Sequence, residues 1–503
     1  MQRRISRELK ALSVLALSLA LNGCIGFGGI APKGSMLPAN TLATDEAIQS
    51  AAKDANWPKA QWWHAYGDPQ LDEWISLAVQ GSPTMAMAAA RVRQARAMAG
   101  VAESAESLQI NADSTLKRHN WPSDQFYGPG ALDNSTTWDN NAGLGFSFAL
   151  DLWGRESNAT EQAVDMAHMS VAEGRQAQLE LQNNVIRAYI QLSLHYAQLD
   201  IVESTLHQQE QILDLAQKRL DGGIGTHFEV SQAQAPLPEI HRQIDAQEEE
   251  IALTRNQLSA LAGKGPGEGA RLKRPTLALA TALKLPSSLP AELLGQRPDV
   301  VASRWEVAAQ ARGIDVAHAG FYPNVDLVGS IGFMAPGGSA LGFLTGKKLN
   351  YNVGPAISLP IFDGGRLRSE LGVASGGYDM AVAKYNQTLV TALKGISDQL
   401  IKRESMEKQQ VFAAESVQAA QKTYDIAVVA FQRGLTDYLN VLNAQTLLFK
   451  QQQIQQQVQA ARLSAHAELV TALGGGLGAG NDVPRDDRYV PDKPPAVMAL
   501  FNH

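Results

Sequence analysis

The side chains able to do chemistry in this chain are sparse and poorly spaced for catalysis. No two of its ten histidines lie three or four residues apart, which removes the spacing that puts two zinc ligands on one helical face. There is no G-x-S-x-G elbow to present a nucleophilic serine and no G-x-x-x-x-G-K-[ST] loop to cradle phosphate. "GGGLGAG" at 474–480 follows a predicted helix rather than a strand, so it reads as a helix stop and not as a dinucleotide loop. Asp68, Asp72 and Glu73 lie close together, but "DPQLDEWI" puts them where carboxylates favour the positive end of a starting helix. The sequence thus predicts no catalytic, cofactor or metal residues and no enzyme.

Cys24 is the only cysteine, so disulfides are excluded. Before it stand a basic start (Arg3, Arg4, Arg7, Lys10), the apolar run "ALSVLALSLAL" at 11–21, and "LNGC". This is a signal peptide over 1–23, too short in its apolar part to span a bilayer. "LNGC" resembles the lipobox of bacterial lipoproteins, which implies that Cys24 is acylated and becomes the new N-terminus. Ile25 and Gly26 follow, without the Asp that often retains such lipoproteins at the inner membrane, so the resemblance points to the outer membrane. Removal of the signal leaves 39 Lys and Arg against 49 Asp and Glu, a net charge of −10. Nucleic acid is a poor partner for such a surface, because binding it depends on neutralising phosphates.

The chain repeats itself. "GGIGTHFEVSQAQA" from Gly222 and "RGLTDYLNVLNAQT" from Arg433 align at an offset of 211, matching Gly223 with Gly434, Ile224 with Leu435 and Val230 with Val441. "SFALDLWGR" (147–155) meets "SLPIFDGGR" (358–366) at the same offset. Two units are predicted, 69–285 and 286–475, after a lipidated segment (24–68) and before a flexible tail (476–503). Each unit reads helix, two strands, long helix, return helix. The strands show as period-two alternation: Leu144, Phe146, Phe148 and Leu150 against Gly143, Gly145, Ser147 and Ala149, then Val325 to Phe333 and Tyr351 to Leu359. Small residues opposite large apolar ones suit a thin, wettable inner barrel wall. A 21-residue loop is expected at 119–139, and Pro355 predicts a bulge or irregular edge in the fourth strand.

The long helices, from Arg155 and from Arg366, each run about 66 residues, on the order of 100 Å. Return helices follow at 226–262, kinked at Pro236 and Pro238, and at 436–473. "QQQIQQQVQ" at 451–459 reads as packed helix, since Leu447, Ile454, Val458, Ala461, Ala465, Leu469 and Ala472 make a coiled-coil seam. The two echoing motifs are then the turns between long and return helices: Gly ends one helix, and Thr226 or Asp437 caps the next. Four strands cannot close a barrel, and open edges are not tolerated in lipid, so several chains must close it together.

"RPDVVASRWEVAAQARGIDVAHAGFYPNVDLVGSIGF" (297–333), "LPIFDGGRLRSEL" (359–371) and "RGLTDYLNVLNAQ" (433–445) resemble the outer-membrane efflux family of TolC, OprM and the NodT-type lipoproteins. "NWPKAQWWHAYGDPQLDEWI" (56–75) resembles the N-terminal segment of its lipidated multidrug branch. The resemblance implies an α+β, TolC-like homotrimer: a twelve-stranded outer-membrane barrel continuous with a periplasmic helical tunnel. Its partners would be outer-membrane lipid, a periplasmic adaptor and an inner-membrane pump. By that likeness Gly222, Gly223, Ile224, Gly225, Arg433, Gly434, Leu435 and Thr436 are the adaptor-docking tips, 119–139 and 335–349 face outside, and 263–296 helps build a belt around the tunnel. Where the family commonly carries two lumen-facing Asp residues, this chain has Asn440 and Asn443, with Glu229 at the first-repeat position, so a neutral aperture is expected. The expected function is a passive exit duct for drugs or small toxic compounds. A protein-secretion duct and a non-conducting, lipid-anchored periplasmic scaffold are the alternatives.

Overall fold

A computed structural model describes residues 28–38, 42–43, 48, 61–122, 134–278, 297–335, 337 and 339–476. Cys24, the signal peptide, the linker 279–296 and the tail beyond 476 lie outside the described residues. A 3-10 turn, Trp62–Tyr66, leads to α1 (Pro69–Gly81) and α2 (Pro83–Ser104). Strands β1 (Gln109–Trp121) and β2 (Ser135–Ala149) follow, then the long α3 (Arg155–Asp221) and a return in two pieces, α4 (His227–Gln234) and α5 (Leu237–Leu261). The order then recurs as α6 (Pro298–Ala319), β3 (Asn324–Ala335), β4 (Leu349–Ser358), α7 (Arg366–Gln432) and α8 (Tyr438–Ala472). The break between α4 and α5 falls at Ala235 and Pro236, where proline removes a helical donor and clashes with the preceding turn.

The four strands form one antiparallel sheet in the order β1-β2-β3-β4. Its register sets Ile110 beside Phe146, Phe146 beside Gly329 and Gly329 beside Val353. The expected loop at 119–139 is shorter than its sequence suggests, because His119–Trp121 pair with Ser135–Thr137 inside the ladder. Apolar alternation fades there, but ladder bonds do not need apolar side chains. Polar cross-strand contacts support the extension: Trp121 Nε1 donates to Thr137 Oγ1 at 2.8 Å, and Arg118 lies 5.7 Å over the Trp138 ring. Pro355 makes no bulge either. It pairs with Leu327 in an unbroken register, and β4 is an edge strand of the chain, where proline is tolerated.

The Gln-rich tract is helix, as its seam predicts, and α8 runs through it unbroken. Leu447 lies off the seam: it is exposed, whereas Leu448 is buried in line with Val441 and Ala444. The largest core lies where the helices meet the N-terminal segment. Trp62, Trp63, Tyr66, Leu71, Trp74 and Ile75 bury against Val185, Ile186 and Tyr189 of α3, Leu258 of α5, and Leu463, Ala467 and Val470 of α8. Asp68 locks this belt. It caps α1 by accepting from Gln70 N–H (3.0 Å), and its other oxygen accepts from Tyr189 O–H and Thr276 N–H, each at 2.8 Å. A carboxylate read as a helix-start charge thus also joins three separate stretches of chain.

His466 of α8 is buried in the same core. The Tyr66 hydroxyl donates to the Leu463 carbonyl at 2.8 Å, so its oxygen is left to accept from His466 Nδ1 at 3.2 Å, which fixes the neutral ring's tautomer. Burial first, and then Arg403 and Arg462, push the imidazole pKa down to about 4. The unfolded chain therefore binds this proton more tightly than the folded one. Stability is fully present above the ordinary histidine pKa, begins to fall as pH drops below about 6.5, and loses about 3 kcal/mol by the time pH has passed through about 4. Melting temperatures measured between pH 7.5 and pH 4 are expected to show this decline, and a His466→Gln variant is expected to lose that component of it.

Candidate functional site

Sheet and helices make a continuous wall. On one face of the sheet stand Ile110, Leu144, Phe146, Phe148, Leu327, Ile331, Tyr351, Val353 and Ile357; on the other stand Asn111, Asp113, Gly143, Gly145, Ser147, Ser330, Asn350 and Asn352. Gly143 and Gly332 pair across β2 and β3 so closely that a Cβ on Gly332 would lie 2.6 Å from both the Ala142 oxygen and Gly143 Cα. The wettable face is therefore thin because backbone occupies the space of side chains. Below the sheet, α2, α3, α6 and α7 pack in that order, so edge strand β1 is fed by edge helix α2, and edge strand β4 runs into edge helix α7. Both edges are unpaired within the chain, and Met87, Met98 and Val101 of α2 and Val373 and Met380 of α7 are exposed.

At the far end of the long helices, each turn is closed by the same hydrogen bonds. After α3, Gly223 N–H donates to Leu220 O (2.9 Å) and Ile224 N–H to Arg219 O (3.0 Å), with Gly223 at φ +75°. After α7, Gly434 N–H donates to Phe431 O (3.0 Å) and Leu435 N–H to Ala430 O (2.9 Å), with Gly434 at φ +70°. These are Schellman turns, which explains why a glycine followed by an aliphatic recurs 211 residues apart. Gly225 is required for a different reason: a Cβ there would lie 2.7 Å from Leu220 N.

The return helices are capped differently. Thr226 and Glu229 form a reciprocal box, with Glu229 N–H to Thr226 Oγ1 at 3.2 Å and Thr226 N–H to Glu229 Oε2 at 3.0 Å. Asp437 caps α8 by accepting from Asn440 N–H at 3.3 Å, and the Asn440 amide donates to Asp437 Oδ1 (2.9 Å) and Thr436 Oγ1 (2.7 Å). Two of the three expected aperture residues, Glu229 and Asn440, thus have a capping role, while Asn443 lies one turn on and is exposed.

The fold also sets the two tips side by side, through residues the sequence reading missed. Arg219 Nη1 donates to Phe431 O at 3.1 Å, and its guanidinium lies 5.0 Å over the Phe431 ring. Behind them Gln209, fully buried, donates to Ala233 O (2.6 Å) and to the Tyr438 hydroxyl (2.9 Å). The duplication hides this contact, because Arg219 has Ala430 as its counterpart and so breaks the repeat. Of the remaining expected tip residues, Ile224 and Leu435 project into solvent, and Gly222 and Arg433 end their helices; the expected lipidation site, Cys24, is outside the described residues.

A sheet with one apolar and one thin polar face, set on a row of helices two of which run about 100 Å, is the wall of an outer-membrane channel. The chain belongs to the outer membrane efflux protein family, whose model matches residues 74–264 and 289–475. It is 44% identical over 493 residues to the fusaric acid resistance protein FusA of Burkholderia cepacia, covering 96% of this chain and 91% of that one. It is 29% identical over 483 residues to the multidrug resistance outer membrane protein MdtP of Shigella flexneri, covering 94% of this chain and 98% of that one. The crystal structure of the outer membrane protein VceC of Vibrio cholerae superposes with a TM-score of 0.77 at 32% identity, over 84% of this chain and all of that one. The family consists of channels rather than enzymes, and this chain is an efflux channel protein of the Gram-negative outer membrane.

The caps give a graded test. Thr226→Ala and Asp437→Ala are each expected to cost about 1 kcal/mol of local helix stability. Gly225→Ala forces backbone apart and is expected to exceed both. Amide hydrogen exchange at residues 219–230 and 430–441 reads the difference.

Proposed function

We propose that three copies of this chain close a twelve-stranded barrel and a helical tunnel beneath it, forming a passive exit duct for small toxic organic compounds. The observation that carries this reading is the pair of free edges: β4 with α7 on one side, β1 with α2 on the other, each a strand continuous with a helix. In lipid an unpaired ladder is not tolerated, so another copy must supply the missing strand. The exposed apolar residues of α2 and α7 then become an interface between chains. Two structural repeats per chain, 69–285 and 286–475, would give the tunnel near six-fold regularity.

Cargo would enter at the tips, where a periplasmic adaptor docks on 222–225 and 433–436 and connects the duct to an inner-membrane pump. The chain itself performs no catalysis, and the partners supply the energy. Lipidation of Cys24 fits the path of the N-terminal segment. Gly28 lies beside Arg368 at the start of α7, 3.7 Å from a Cβ on Gly28 to Arg368 Cδ. The fusaric acid resistance in the name of the FusA relative makes fusaric acid the first solute to try.

Asn440, Asn443 and Glu229 form the tip aperture in this reading, and its amide lining makes it weakly ion-selective. Asn443→Asp is the cleaner probe, because a carboxylate at 440 would face the Asp437 oxygen that Asn440 now donates to. In planar bilayers the purified protein is expected to give discrete channels, with greater cation selectivity for Asn443→Asp. Folded protein that stays silent even after Arg219→Ala loosens the tips would favour the non-conducting scaffold.

A further inference from the structure

Where the sheet meets the tunnel, α3, α6 and α7 frame a cavity of about 680 Å³. Ala149, Asn324 and Ser358 line its upper end, and all three stand on the polar face of the sheet. The cavity therefore opens on the side of the duct interior. Its floor is α6, where Gly313, Ala317 and Gly320 recur on one face and leave backbone uncovered. Two amides rest against glycine: a Cβ on Gly313 would lie 3.0 Å from Gln162 Nε2, and one on Gly377 would lie 2.9 Å from Gln310 Oε1. With Pro83 set against Pro298 and Gly154 against Gly365, the matching positions of the other repeats hold Met98 for Gly313, Val373 for Gln162 and Ala95 for Gln310. The duplication thus puts apolar side chains at one seam and a polar recess at the other, so the recess arises once per chain.

Charge around the recess is unevenly committed. Asp151 accepts from the Ser157 N–H (2.9 Å) and hydroxyl (2.8 Å), and Glu370 holds Arg366 at 2.7 Å. Arg155 is held loosely: the Glu156 carboxylate lies 3.8 Å away, and 55% of the Arg155 side chain is exposed. Arg155 and Gln162 are seven residues apart on one face of α3, about 10 Å along its axis. We propose that this recess is a weak binding site for small aromatic carboxylates passing through the duct. The carboxylate accepts from the planar guanidinium of Arg155, which suits it geometrically. The ring lies on the Gly313–Ala317–Gly320 floor, where missing side chains let a flat group approach the backbone, with Val316 and Leu367 beside it. Gln162 meets a polar group at the far end. An organic cation of the same shape finds its counter-charges, Asp151 and Glu370, already engaged. The site rests on the duct reading and deepens it, because solute reaches the recess only if the polar sheet face lines a passage.

Calorimetric titration of the full-length protein in lipid nanodiscs tests this, with empty nanodiscs subtracted. The probes are 2-naphthoate and 2-naphthylmethylammonium, which share a ring system and differ in charge. The acid is expected to bind about tenfold more tightly than the ammonium ion, and Arg155→Gln is expected to weaken it by about the same factor. Gly313→Met places the other repeat's residue on the floor and is expected to abolish binding, since only the flexible end of Gln162 stands in its way. Planar-bilayer recordings of the same preparations report whether each variant still assembles. Equal binding of the two probes, or naphthoate binding indifferent to both substitutions in variants that conduct, would overturn the proposal. Discrete channels from a protein that binds neither probe would remove the site and leave the duct standing. Silence in bilayers together with absent binding would remove both.

Discussion

A backbone in hydrocarbon has no water to hydrogen-bond, and the rest of this structure depends on that constraint. The chain meets it only in part. Three ladders are satisfied internally, while β1 and β4 each keep an open side. Two long-range features serve those edges. The element order runs twice, so the wall is laid down in like pieces, and each edge strand passes into an edge helix, so one association completes sheet and tunnel together. Apolar residues left exposed on α2 and α7 are the helical counterpart of the unpaired ladder.

Away from the membrane the problem is reversed. Helices 67 residues long must be stopped, turned and returned in water without leaving their last carbonyls bare. Schellman turns do this at both tips with a positive-φ glycine, and the caps that follow use different side chains for the same purpose. Equivalence of the two tips is therefore local only. Arg219 reaches across to Phe431, and Gln209 reaches across to Tyr438, so the first hairpin holds the second through residues without counterparts. Contacts of this kind make two repeats behave as one body.

The described parts of the N-terminal segment are a structural part of the wall rather than a tether. Lys33 and Gly34 N–H groups both donate to Asp379 Oδ1, at 2.8 and 2.7 Å, and Leu37 N–H donates to Asn386 Oδ1 at 2.8 Å. Gly34 fits tightly against Asp379 and Val382, since a Cβ would come within 3.2 Å of both. Further on, the Asp68 carboxylate ties α1, α3 and the stretch after α5 into the belt. The buried Tyr66–His466 pair holds α8 to the same place.

Taken alone, the sequence determined whatever depends on neighbouring residues. It specified the strands by alternation, the long helices by freedom from proline, the kink by Pro236, the tips by Gly223 and Gly434, and the caps by Thr226 and Asp437. These are local preferences, and duplication displays each of them twice. Only the tertiary structure decided what depends on residues far apart in the chain. It extended β1 and β2 past the fading apolar pattern, because cross-strand partners such as Trp121 and Thr137 supply what alternation does not. It chose Leu448 over Leu447 for the core, because helix rotation is set by the packing partner and not by the seam itself. It also gave Asp68, Arg219 and His466 roles that no spacing in the sequence reveals, since each is defined by a group between 100 and 400 residues away, where sequence periodicity carries no information.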